Sequence, residues 1–215
     1  MSNGMIATGW PGAALAIGLC LLVGCAAEST SEPTTRAAAS PAGAASPPPA
    51  AVTVALVDHA ELLERLAAHR GKVVVLDCWS TSCPPCVKEF PGLVALARDY
   101  GEQVACLSLS FDYEGFGTPE EVLPPVQEFL AQVGATAIEN LLGREDSDTL
   151  YAKLELTSVP AVYVFGRDGE LLRRFDDDFA ATELGRPFTY ADVRQQVDQA
   201  LASQPNAPAS EKGAS

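Results

Sequence analysis

The stretch from Val73 to Cys86 constrains this chain more than any other. Val73-Val74-Val75-Leu76 is a continuous apolar run rich in β-branched residues, as expected of a strand covered on both faces. It continues through Asp77-Cys78-Trp79-Ser80-Thr81-Ser82 into Cys83-Pro84-Pro85-Cys86. Proline presets φ for the first turn of a helix, so a helix is predicted from Pro84 or Pro85 to about Tyr100, kinked at Pro91. A doubly covered strand that feeds a helix belongs to a layered α/β domain.

The remaining periodicity extends that pattern. Asp58 and Glu61 have the spacing of a capping box, and Leu62, Leu63, Leu66 and Ala67 make a helical stripe that stops at Gly71. Val104 to Leu109 reads as a second buried strand. Thr118-Pro119-Glu120-Glu121 reads as a capped helix start, with the helix ending near Gly134. A short strand over 137–142 and a helix over 147–154 follow. The segments 161–165 and 170–175 flank Arg167-Asp168-Gly169, a hairpin signal. Thr189 and Asp192 cap a last helix to about Leu201. The fold class predicted is α/β, with a mixed central β-sheet flanked by helices.

The flanks have a different composition. Ala13 to Val23 is one apolar run of about eleven residues, too short to span a hydrocarbon core of roughly 30 Å as a helix, and fits a secretory signal. It ends Leu22-Val23-Gly24-Cys25, which resembles the lipobox of bacterial lipoproteins, although the first 24 residues contain no Lys or Arg. That resemblance implies a signal over residues 1–24 and acylation of Cys25. Residues 25–51 are Ala, Pro, Ser and Thr with few large apolar groups, so they cannot offset their ordering entropy. Such a linker would reach about 30 Å. The reading is therefore a signal (1–24), a lipidated disordered linker (25–51), one domain (52–201) and a disordered tail (202–215).

Charge narrows the partners. The 215 residues carry 14 Lys and Arg against 28 Asp and Glu, a net charge of −14. A general nucleic-acid binder needs a basic face, so no nucleic-acid partner is expected.

Cys83 and Cys86 carry the chemistry. Two cysteines with two residues between them at a helix start can close a small disulfide and reopen it. The unpaired N–H groups and positive dipole end of the helix stabilise a thiolate, the nucleophile of exchange. Cys83, nearer the exposed end, should attack, and Cys86, one turn in, should resolve the mixed disulfide. The prolines offer no N–H, so donors to the sulfur should be Cys86 and Val87. Zinc uses the same spacing but needs two further ligands. The other cysteines of the exported chain are Cys25, Cys78 and Cys106, and His59 and His69 both fall in the first predicted helix.

Asp-x-Trp-x-x-x-Cys-x-Pro-Cys after an apolar strand resembles the thioredoxin superfamily. Val87-Lys88-Glu89-Phe90-Pro91 makes it similar to the extracytoplasmic TlpA/ResA branch, and Thr157-Ser158-Val159-Pro160 before the hairpin fits the same branch. The resemblance covers about residues 52–201 and implies a thioredoxin-like fold with an extra helix inserted in the middle, over 118–134. It implies a cis Pro160 facing the cysteine pair, with Val159 docking a client backbone. It implies that Asp77 is a buried acid that takes the proton of Cys86. Trp79 reads as packing beside the site and as shaping the client-facing surface, to which Pro84 and Pro85 would also belong. Ser82, where most members have an aromatic residue, and Pro84 within the pair are departures.

The expected function is a membrane-tethered, extracytoplasmic (periplasmic side) thiol–disulfide oxidoreductase acting on disulfide-containing client proteins. The branch implies a reductant fed by a membrane thiol–disulfide electron donor. No metal site or organic cofactor is implied. A redox-inert or metal-handling binding lipoprotein on the same fold is the alternative. The resemblance implies that Asp77 and Ser108 point to the same face; strand alternation then places Cys106 on that face and Cys78 on the other, so no disulfide is expected between them. Asp176-Asp177-Asp178 reads as a solvated loop.

Overall fold

The computed structural model describes residues 51–203. The signal (1–24), Cys25, nearly all of the linker and the tail beyond Ser203 lie outside the described residues.

A six-stranded sheet organises the domain, with strand order β1-β4-β3-β2-β5-β6. Its strands are β1 (Val54–Val57), β2 (Val73–Trp79), β3 (Val104–Ser110), β4 (Glu139–Gly143), β5 (Ala161–Phe165) and β6 (Leu171–Phe175). The first four pair in parallel, whereas β5 runs antiparallel to both β2 and β6. The sheet is therefore mixed, as the alternation of apolar runs and helical stripes predicts. Every residue of β2 and of β3 is buried, which is the reason both read as unbroken apolar runs.

The helices are α1 (His59–Ala68), α2 (Pro84–Glu89), α3 (Pro91–Tyr100), α4 (Pro119–Gln132), α5 (Ser147–Lys153), α6 (Asp177–Phe179) and α7 (Tyr190–Ser203). Each face of the sheet has its own core. Val74, Leu76 and Cys78 of β2 point to the core that holds Leu62 of α1 and Leu150 of α5. Val73, Val75 and Trp79 point to the other, with Cys86, Phe90 and Leu93 of α2–α3, Val126 and Leu130 of α4, and Val193 and Val197 of α7. This second core lies directly beneath the cysteine pair.

The interruption expected at Pro91 is present: the long helix from Pro84 is two helices meeting at Phe90, because Pro91 has no N–H to continue the first ladder. Several other local expectations take a different form. Thr118 makes no side-chain cap, and Pro119 alone starts α4. The strand β1 is absent from the sequence reading, since three half-buried residues and one buried one against β4 give almost no periodic signal. Helix α7 extends to Ser203, two residues into the expected tail. Of the triple aspartate, Asp177 and Asp178 are exposed as expected, but they open a helix and Asp176 is not solvated. Asp176 is buried, accepts the Phe179 N–H at 2.9 Å to start α6, and pairs with Arg174 at 2.5 Å.

Candidate active site

The end of β2 delivers the site. Cys83 is the N-cap of α2, in extended conformation, with Pro84 and Pro85 opening the helix. The Cys83 and Cys86 sulfurs are bonded, with their Cα atoms 5.3 Å apart. One backbone donor meets the outer sulfur, the Cys86 N–H at 3.3 Å from Cys83 Sγ. The Val87 N–H goes instead to the Cys83 carbonyl, so the expectation of two donors is corrected to one. Cys83 is partly exposed, whereas Cys86 is only 3% exposed. The asymmetry fits an outer sulfur that a partner reaches and an inner one it does not.

Val159 and Pro160 come to the same place from the start of β5. The Val159–Pro160 peptide is cis, and the Val159 carbonyl oxygen lies 3.6 Å from Cys83 Sγ. In this oxidised form the sulfur has no proton to donate to it. Pro85 and Pro160 line a cleft of about 340 Å³ with Lys88, Glu89, Asp177 and Phe188. Pro84 is exposed beside it.

Asp77 stands on the core face beneath the pair, 4% exposed, between Val75 and Trp79. Its neighbours across the sheet are Ser108 of β3 and Val162 of β5. Burial pushes its carboxyl up from 3.8 to about 7, opposed by a hydrogen bond from the Tyr190 hydroxyl. A solvated strand-end aspartate is thereby excluded. Cys106 packs on this face and Cys78 on the other, both as free thiols. Burial, and secondarily the Asp77 charge, raises the Cys106 thiol to about 12 and the Cys78 thiol well above its ordinary value. Neither is a nucleophile near neutrality.

Trp79 packs beside the site, as expected, but it shapes no client-facing surface, since it is 0% exposed. Its ring lies 4.9 Å from that of Phe90 and 4.8 Å from that of Phe129, so it cements α2 and α4 to the sheet. Strand alternation is the cause: Trp79 is two residues on from Asp77 and shares its buried face.

Two residues that the sequence reading missed hold the site together. Tyr190, at the start of α7, reaches Asp77. Asp112, just beyond β3, anchors the loop before Cys83: it accepts the Thr81 N–H at 3.0 Å, the Ser80 hydroxyl at 3.2 Å and the Ser110 hydroxyl at 2.5 Å. It also accepts the Thr81 hydroxyl. Neither role has a local pattern, since Tyr190 meets Asp77 across 113 residues of chain and Asp112 meets Thr81 across 31. Asp112→Ala is expected to lower stability by about 1–3 kcal/mol, because it leaves partly buried donors without an acceptor. Urea denaturation measures this as a lower midpoint, with faster amide exchange at Thr81 and Ser82.

Comparison with known proteins bears on the fold. A sequence model described as thioredoxin-like matches residues 71–171, from before β2 to the start of β6. The domain is thioredoxin-like in fold. The thioredoxin-like protein YneN of Bacillus subtilis is 36% identical over 42 residues, which are 20% of this chain and 25% of YneN. The chain thus spans about a quarter of that relative's length. Among solved structures, a secreted Mycobacterium tuberculosis disulfide oxidoreductase is 18% identical, with 62% of this chain and 85% of that chain covered at a TM-score of 0.47. StoA from Bacillus subtilis is 16% identical, with 59% and 83% covered at a TM-score of 0.42.

Proposed function

We propose that this protein is an extracytoplasmic thiol–disulfide oxidoreductase that reduces disulfides in client proteins through Cys83 and Cys86. The observation that carries the reading is the bonded pair at the start of α2, its outer sulfur open and its inner sulfur buried on the face that holds Asp77.

In the reduced protein the Cys83 thiolate attacks one client sulfur. The second client sulfur leaves as a thiolate and takes a proton from solvent. The Val159 carbonyl and the cleft at Pro85 and Pro160 hold the client backbone beside Cys83, with Pro84 at the rim. Cys86 then gives its proton to Asp77 and attacks Cys83 Sγ. The Cys83–Cys86 bond forms, the mixed disulfide breaks, and the first client sulfur leaves with the electron pair. Two electrons have passed from the pair to the client. A membrane thiol–disulfide donor restores the dithiol, and Asp77 returns its proton to solvent.

Export by the segment 1–24 and acylation at Cys25 would place the domain on the outer side of a membrane, on the tether 25–51. Disulfides persist there, so clients are available.

Equilibration in glutathione and dithiothreitol buffers tests the reading, with the fluorescence of Trp79, which packs in one core with Cys86, as the signal. A potential near the roughly −270 mV of reducing dithiols supports a reductant, and one near about −120 mV an oxidant. Absence of a reversible Cys83–Cys86 disulfide would leave a binding role.

A further inference from the structure

Asp77 meets a polar partner across the core. The Tyr190 hydroxyl donates to Asp77 Oδ2 at 2.5 Å, and both side chains are buried. Tyr190 is the first residue of α7, and its placement is fixed from three directions. Its ring is pressed on α3 so closely that a Cβ at Gly92 would fall 2.4 Å from Tyr190 Cβ and Cγ. Its N–H faces Glu89 Oε2 at 3.4 Å. The turn before it is held by Asp192, which accepts the Thr189 N–H at 2.9 Å and pairs with Arg186 at 2.7 Å. The hydroxyl is thus aimed at Asp77 by a cap, a ring contact and a backbone contact together.

We propose that Tyr190 is a positioning residue that sets the pH at which Asp77 can accept the Cys86 proton. The inference rests on the reading of Asp77 as that acceptor. A hydroxyl that donates to a carboxylate stabilises the charged form, in opposition to burial, which stabilises the acid. Without the hydroxyl, the buried acid would hold its proton further into the alkaline range. Less of it would then be available as a base near neutrality.

The other groups around Asp77 do not supply this. From β3 comes the Cys106 thiol, and from β2 itself the Cys78 thiol; burial keeps both neutral there. Helix α2 brings Cys86 and, next to the Tyr190 N–H, the Glu89 carboxylate. Ser108 and Val162, opposite Asp77 on β3 and β5, do not titrate, and α3 brings the apolar Leu93 to the same core and Gly92 against the Tyr190 ring. Tyr190 is the hydroxyl that donates to the carboxylate, and its own proton is held well past its ordinary range by burial and by Asp77.

Tyr190→Phe tests the inference, because it keeps the ring against Gly92 and removes only the oxygen. Two measurements on the full chain are needed. The first is a carbon NMR titration of the Asp77 carboxyl in the oxidised protein, with Asp77→Asn to assign the signal. The second is the pH profile of the resolving phase when the reduced protein reacts with dithiobis(nitrobenzoate), followed by thionitrobenzoate release. The expected result is a midpoint about one unit higher in both, with resolution about fivefold slower near neutrality and recovering at alkaline pH. A merely structural role would slow resolution equally at every pH. That outcome, or an unmoved carboxyl midpoint, overturns the inference. If instead Asp77→Asn keeps the wild-type resolving profile, the acceptor reading of Asp77 fails, and the inference with it. If Asp77→Asn flattens the profile and Tyr190→Phe leaves it in place, only the role of Tyr190 fails.

Discussion

Cys83→Ser is expected to reduce disulfide reduction of insulin to the uncatalysed background and to capture no client. Cys86→Ser is expected to give the same loss of turnover but to accumulate a covalent client adduct. The two variants lose the same turnover at different steps. Cys83 is the partly exposed sulfur beside the Val159 carbonyl, so it alone can meet a client disulfide. Cys86 is 3% exposed and faces the core, so it can attack only a sulfur already placed at Cys83. Without Cys86 the mixed disulfide has no internal thiol to break it, and it persists until an external thiol arrives. Non-reducing electrophoresis and intact mass of the adduct measure the difference. Capture of clients by the Cys83→Ser protein would reverse the assigned roles. Residual turnover in both would point to Cys78 or Cys106, whose burial and raised thiols stand against it.

The junction of β2 and α2 was readable in the sequence because its causes are local. A run of valines needs cover on both faces, two prolines start a helix, and the cysteines share its first turn. The hairpin of β5 and β6 and the capping box of α1 are readable for the same reason, and the structure has both, with Asp58 and Glu61 capping reciprocally. What escaped depends on contacts between distant segments. The edge strand β1 exists because β4 accepts it. Tyr190 is an ordinary tyrosine at a helix start until the fold sets it over Asp77. Asp112 is one of many acids until the loop before Cys83 folds on it. Trp79 shows that a motif can place a residue in the site's neighbourhood without exposing it, because alternation along β2 assigned it to the core. Asp176 shows the converse: a charged run reads as solvated, yet a nearby Arg174 and a helix start can draw one member inside.

Asp77→Asn is expected to make the oxidised protein more stable above neutral pH while slowing resolution at Cys86. The sign follows from the carboxyl, which ionises near 3.8 when solvated but near 7 in the folded domain. Below the lower value both states are protonated and the acid contributes no penalty. Between the two values the unfolded chain releases a proton that the native state keeps, so stability falls as pH rises. Above the folded value the penalty is complete, and a gap of about three units corresponds to roughly 4 kcal/mol. Asparagine has no charge to desolvate, and its carbonyl oxygen can still accept the Tyr190 hydroxyl. Its imperfect match to the site leaves an expected gain of about 2–4 kcal/mol at about pH 8, nearly absent at about pH 4. For a domain of this size that is a rise in melting temperature on the order of 10 °C. Thermal melts of the oxidised wild type and variant across that range measure it, and the difference between the two isolates Asp77 from all other carboxylates. A constant difference at every pH would mean that water reaches the carboxyl and its ionisation is ordinary. A gain confined to neutral and alkaline pH, together with slower resolution, would mean that the domain keeps a destabilising buried acid at the position where the reaction needs a proton acceptor.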